Sequence, residues 1–184
     1  MPKSNATISD LNHQLLVAMP NLKDELFEQS VVLIFENDEA GTMGFVANKN
    51  LPITVGDILR QLEIKQSSQK ANNVTLLQGG PVSKEQLYIL KYYARRKVKF
   101  DLIQPQDSLD SFGEGEGLDK ILPFLGYAGW GAGQLEKEIL KNDWLVCPAT
   151  PEILFKTPPE ERWLACLKTL GVDPENLRGN IGHA

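Results

Sequence analysis

Residues 120–150 constrain the chain more than any other stretch, because an apolar run, a cluster of glycines, a helical period and a second apolar run follow one another without a gap. Ile121, Leu122, Phe124 and Leu125 form a run short enough for a strand covered on both faces. It leads into Gly126-Tyr127-Ala128-Gly129-Trp130-Gly131-Ala132-Gly133. Four glycines within eight residues suit backbone that takes positive φ or lies close to another backbone, so this segment reads as a turn. Leu135, Ile139 and Leu140 then recur at helical spacing, with Gly133 placed as N-cap and Glu136 placed to close the first turn. Trp144 to Cys147 resumes an apolar strand that Pro148 stops. The stretch reads as strand, glycine turn, two-turn helix, strand.

The rest of the chain supplies elements for that unit to join. Residues 1–10 read as a loosely docked arm, His13 to Met19 as a first strand ended by Pro20, and Leu22 to Phe27 as a short helix. Val31 to Phe35 is apolar without alternation, which predicts a central strand covered on both faces; a polar turn over Glu36 to Gly41 and an apolar arm over Thr42 to Ala47 complete a hairpin. Thr54 is placed to cap a helix with Val55, Ile58, Leu59 and Leu62 as its apolar stripe. Val74 to Leu77 and Gln86 to Tyr93 read as strands on either side of Gly79-Gly80-Pro81, and Asp107 to Phe112 as a helical turn. Pro158 to Leu170 is a helix ended by Gly171, with Trp163, Leu164, Leu167 and Leu170 assigned to one face.

With 42% hydrophobic residues, 184 residues and no internal repeat, the composition is that of one globular domain. A net charge of −5 opposes direct nucleic-acid binding, and the one dense basic run, Lys91 to Lys99, reads as an exposed turn despite its interleaved tyrosines. No apolar run reaches the roughly 18 residues of a membrane span, and the first residues lack the apolar core of a signal peptide. Cys147 and Cys166 lack metal-site spacing and read as buried thiols in a reducing compartment, so the expectation is a cytoplasmic protein outside the membrane.

Chemistry is harder to place. The glycine segment offers no lysine and hydroxyl side chain after its last glycine, and Glu136 and Glu138 set negative charge where a phosphate would sit. No Gly-x-Ser-x-Gly elbow is present, Cys147 lies inside an apolar strand, and the acidic turn at Glu36 to Gly41 lacks the ligand set of a calcium loop. The reading therefore assigns no catalytic residue, no metal and no cofactor. It places a candidate ligand or partner surface at Gly79, Gly80, Pro81, Gly126, Tyr127, Gly129, Trp130, Gln134 and His183, on the expectation that the glycine segments lie together. Two aromatic faces, an amide and an imidazole suit a small polar ligand or a peptide. The competing reading of the same glycines is tight packing, with Trp130 buried.

Gly79-Gly80-Pro81-Val82, Leu125 to Trp130, Gly133 to Glu136 and the terminal Gly182-His183-Ala184 together resemble the YqgE/AlgH family of bacterial proteins across nearly the whole chain. Lys49-Asn50 and Ala132 depart from the family pattern of Arg-Pro and Pro. The resemblance implies an α+β fold in a single domain over residues 1–184, with a bent, mixed or mostly antiparallel sheet, partly barrel-like and packed with short helices. It supplies no catalytic residues; one branch is named for transcriptional regulation of alginate production. The function expected is a binding or regulatory module working through a protein or small-ligand partner, the alternative being an enzyme with its site at the glycine segments.

Overall fold

The computed structural model describes residues 10–94 and 98–178. The strands, in chain order with the helices between them, are β1 (Gln14–Ala18), β2 (Val31–Asp38), β3 (Gly41–Val46), β4 (Asn50–Thr54), α1 (Val55–Gln61), β5 (Thr75–Gln78), β6 (Val82–Ala94), β7 (Val98–Ile103), α2 (Leu109–Gly113), β8 (Ile121–Gly131), α3 (Gln134–Leu140) and β9 (Trp144–Pro148), followed by α4 (Arg162–Thr169) and α5 (Pro174–Arg178). The fold is α+β. One path of strands runs β4-β5-β8-β3-β2-β1-β9, and β6 and β7 branch from β8. Every pairing is antiparallel except β5 with β8. The path ends at β4 and β9 and does not close, so the large mixed sheet is open and branched.

Burial explains the choice of central strand. On β2, Val31 and Leu33 point into a core shared with Phe45, Trp163 and Leu167, while Val32 and Ile34 point into a second core with Trp130, Leu135 and Trp144. A strand covered on both faces needs no polar alternation, which is why the run reads as apolar throughout. A third core, built on Val55, Leu59, Leu76, Ile89 and Phe112, sits where α1 and α2 meet the other branch of the sheet.

β8 joins the two branches. Its first half pairs with β5 and β6, and from Ala128 onward it pairs with β3. The change of partner occurs beside Gly126, whose φ of +73° is one that side-chain-bearing residues seldom adopt. The glycine turn expected over 126–133 is thus mostly strand: β8 runs through to Gly131, and only the Ala132-Gly133 step turns the chain into α3. Gly133 is the N-cap of α3, but the side chain that tightens the entry is Gln134, whose Oε1 accepts the Gly131 N–H at 3.0 Å, and not Glu136.

Other local expectations are corrected. Where a helix was expected over 22–27, residues 22–24 carry no regular structure and 25–29 form a turn; the Asp24 carboxylate caps it by accepting the Leu26 and Phe27 N–H groups at 2.8 and 3.1 Å, and the Glu28 N–H closes it on Asp24 O at 2.8 Å. β6 starts at Val82, earlier than expected, and the basic run begins inside that strand at Lys91, where an exposed turn was expected; Arg95, Arg96 and Lys97 lie outside the described residues. On α4, Cys166 joins Trp163 and Leu167 in the core, whereas Leu164 is 54% exposed and faces away. α1 forms with a complete capping box between Thr54 and Asp57, but of its expected stripe Val55 and Leu59 are buried while Leu62, at the C-cap, is 53% exposed. Among the described residues no helix is long and apolar enough to cross a membrane.

Candidate functional site

The two glycine segments meet. The Gly79 N–H donates to Leu125 O at 2.9 Å, and Gly79 O accepts the Val46 N–H at 2.7 Å, so the end of β5 is held between β8 and β3. A Cβ on Gly79 would collide with the Gly126 carbonyl, and one on Gly80 with the Tyr127 peptide. On Gly126 a Cβ would lie 2.5 Å from Gly80 O. These three glycines are therefore required by the crossing of backbones and are spent on architecture. Pro81 follows them beside a small crevice shared with Phe27 and Gly80.

Trp130 belongs to the interior. It is 6% exposed, its ring packs against Phe27 and Trp144, and its indole N–H donates to Glu138 Oε2 at 3.0 Å. Trp144 donates to the same oxygen at 2.9 Å, and Gln134 Nε2 donates to Glu138 Oε1 at 3.0 Å. One carboxylate on α3 thus ties together β8, β9 and its own helix. The sequence offered Glu138 as a charge in the first turns of a helix; its partners on two separate strands gave no local signal. His183 lies outside the described residues.

Gly129 and Gly131 differ from the other glycines of β8. Both are exposed, neither has a positive φ, and a Cβ on Gly129 would come only to 3.7 Å from the Tyr127 ring, an ordinary contact. On Gly131 the nearest atom would be Gln134 Oε1 at 3.8 Å. A Cβ fits at both positions without displacing a neighbour. Gly129 lies in an open trough of about 370 Å³ whose walls are Tyr127, Met43 and the rim carboxylates Glu36 and Asp38. Glu36 and Asp38 are exposed and form no ion pair among the described residues. Tyr127 is wedged edge-on against Tyr88 with centroids 5.8 Å apart, which fixes its ring at the trough wall. The trough is acidic, glycine-floored and flanked by one aromatic ring and one thioether.

Other depressions among the described residues have comparable size, one of them of about 450 Å³ along Ser83, Lys84, Glu85 and Gln86; in the two described next the cations are committed. The first, of about 430 Å³, is lined by Glu28, Lys49, Glu160 and Leu164; the Lys49 ammonium donates to Leu26 O, and burial draws its pKa below the usual lysine value against the pull of Asp24 and Glu28. The second, of about 420 Å³, passes Asn50, Thr75, Asp119 and Arg162. Arg162 is buried and its guanidinium donates to three backbone carbonyls, of Ala47, Leu154 and Thr157. Desolvation pushes its pKa down to about 10, with Glu160 opposing the shift. It staples the π-helical turn Glu152–Lys156 to the end of β3. Among the described residues no group of three or more His, Cys, Asp or Glu side chains is arranged to hold a metal ion.

Comparison with known proteins agrees with this architecture. The chain is 39% identical to the UPF0301 protein of Coxiella burnetii (strain Dugway 5J108-111) over 175 residues, covering 95% of this chain and 97% of the relative. It is 38% identical to the UPF0301 protein of Cupriavidus metallidurans, with both chains covered in full. The solution structure of the AlgH protein from Pseudomonas aeruginosa superposes with a TM-score of 0.72 at 36% identity, again over the whole of both chains. A crystal structure of a Corynebacterium diphtheriae protein, 22% identical with a TM-score of 0.66 over 85% of each chain, shares the fold. The family profile described as DUF179, AlgH-like, matches residues 15–175, from β1 into α5, and the chain belongs to that AlgH-like family.

Proposed function

We propose that this protein is a binding module, acting through a protein partner that presents a basic side chain to the trough between β2, β3 and β8. The observation that carries this reading is Gly129. Glycine in a strand interior costs roughly 0.5–1 kcal/mol relative to a residue with a side chain. Here neither a positive φ nor a neighbouring backbone requires it. A glycine that the fold does not need, on an exposed strand face, suits close approach by a second molecule. The rim carboxylates Glu36 and Asp38 favour a cation, and the face of Tyr127 stacks on a guanidinium or an ammonium. In this reading any regulatory role, of the kind implied by the name of the alginate-regulator branch, is exercised by holding a protein and not by contacting DNA.

Amide chemical shifts recorded while short arginine- and lysine-bearing peptides are titrated in provide the test. Saturable shifts at Met43, Tyr127 and Gly129 are expected, and they disappear in Gly129→Val. That variant keeps the wild-type fold and is slightly more stable, since a β-branched residue suits an exposed strand position. Gly80→Ala, by contrast, loses about 3 kcal/mol through overpacking against Tyr127. Wild-type peptide binding by Gly129→Val, or no saturable shift at the trough with any peptide, overturns the proposal. Equal shifts with free alkylamines move the occupant to the class of small cationic ligands.

A further inference from the structure

The depression of about 420 Å³ that passes Asn50 and Arg162 opens in a fork of the sheet. Parallel pairing of β5 with β8 covers only Leu77↔Phe124 and Gln78↔Leu125. The Gly79 N–H donates to Leu125 O, so the backbone of Leu125 faces β5, and by alternation that of Pro123 does too. Proline has no N–H with which to continue a ladder. Before Pro123 the strands part: Val74 and Thr75 line one side of the fork, and Ile121, Leu122 and Pro123 the other. The π-helical turn adds Leu154 and Phe155 to the lining, and the Arg162 guanidinium holds that turn by donating to Leu154 O at 2.7 Å. The volume falls within the roughly 300–1,000 Å³ of small-molecule sites. We propose that this fork is a binding site for a nucleobase, free or as its nucleoside.

The lining selects that class by exclusion and by fit. An anion meets Asp119 and Glu160, two exposed carboxylates, and finds no cationic fork, because all three Arg162 guanidinium nitrogens already donate to carbonyls. A cation meets Arg162 itself, which is buried in the wall and makes no ion pair among the described residues. The occupant is therefore neutral. Part of it is apolar, since Leu77, Ile121, Leu122 and Leu154 are buried in the walls. The half-buried Phe155 ring packs on Tyr92 with centroids 5.5 Å apart, which fixes it as a stacking face. For hydrogen bonding the site offers the Asp119 carboxylate, the Asn73 amide and the Thr75 hydroxyl, the last two without a side-chain hydrogen bond among the described residues. An amide pairs with the donor and acceptor edge of a base, and a carboxylate accepts from an exocyclic amino group. A flat, neutral ring with such an edge satisfies the stacking face and the polar groups together.

Amide chemical shifts of the full chain, recorded while adenine, cytosine, adenosine and cytidine are titrated in, test this. Saturable shifts are expected at Thr75, Leu122 and Phe155, with Met43 and Gly129 unmoved, since the fork and the trough share no residue. The 5′-monophosphates should bind at least tenfold more weakly than the nucleosides, repelled by the rim carboxylates. A free base that binds as tightly as its nucleoside identifies the base alone as the occupant; a tighter nucleoside adds the ribose hydroxyls as contacts. Asn73→Leu and Asp119→Leu, both at exposed positions, should keep the wild-type melting temperature and weaken binding at least fivefold. Phe155→Leu, which stays apolar, should weaken it as much by removing the stacking face. No saturable shift at the fork with any of the four compounds, a monophosphate bound as tightly as its nucleoside, or benzyl alcohol bound as tightly as the bases overturns the proposal. Unchanged affinity in all three variants does so too. If Phe155→Leu loses its fold, the comparison of nucleoside with monophosphate on the unsubstituted chain stands without it.

Discussion

Glu138 shows how much one side chain carries in this fold. It accepts both buried indole N–H groups of Trp130 and Trp144, and α3 has little else to fasten it, since Leu135 is its one fully buried residue. Glu138→Leu would leave two indole donors in an apolar core without acceptors. A buried donor stripped of its partner costs about 1–3 kcal/mol, so the variant should lose roughly 2–5 kcal/mol in urea unfolding. Glu138→Gln, which keeps an acceptor oxygen, should lose less than half of that. If the two variants unfold at the same urea concentration, the indole bonds are not what Glu138 contributes. None of this was legible from sequence, where Glu138 is one of several charges on a short helix. The same holds for Trp130, whose exposure or burial depends on Phe27 and Trp144 arriving from elsewhere.

Single elements were more readable, because their signals are local. The helix α1 is the clearest case: Thr54 at the cap and Asp57 three residues on form a reciprocal pair, with Arg60 bridging to Asp57. The Asp57 carboxyl is held below its ordinary value of 3.8 by the Thr54 N–H first, then by the Thr54 hydroxyl and by Arg60. A carboxylate depressed in the folded state contributes stability that is present above the unfolded pKa and disappears as pH falls through the folded one. Acid titration followed by amide shifts should therefore show α1 loosening below about pH 3.8. Asp57→Asn should have lost that contribution at neutral pH and show no further local change across the same range. β2 and the α3 to β9 passage were equally legible, from apolar run length and helical period. The strand β8 was not: glycine-rich composition reads as a turn, and nothing within 126–131 reveals that β3, β5 and β6 line up against it. The helix expected at Leu22 to Phe27 shrinks to one turn that starts later, at Asp24, whose carboxylate caps the N–H groups two and three residues ahead.

Taken as a whole, the molecule is acidic, and its charge argues against a nucleic-acid surface. In a gel shift with purified protein, any DNA complex should be independent of sequence and should dissolve between 50 and 200 mM salt, where phosphate-driven affinities drop by roughly a thousandfold or more. A sequence-selective complex that survives that range would contradict the reading of a protein-binding module. The branched sheet has a different kind of consequence. Every partner of β8 precedes it in the chain, so the ladders that join β3, β5 and β6 are not complete until residue 131 is present. The edge pairing of β1 with β9 waits longer still. A polypeptide leaving the ribosome must then carry the apolar faces of β2, β3 and β6 unclosed through most of its synthesis, so that correct assembly of the first two thirds depends on the arrival of the last third.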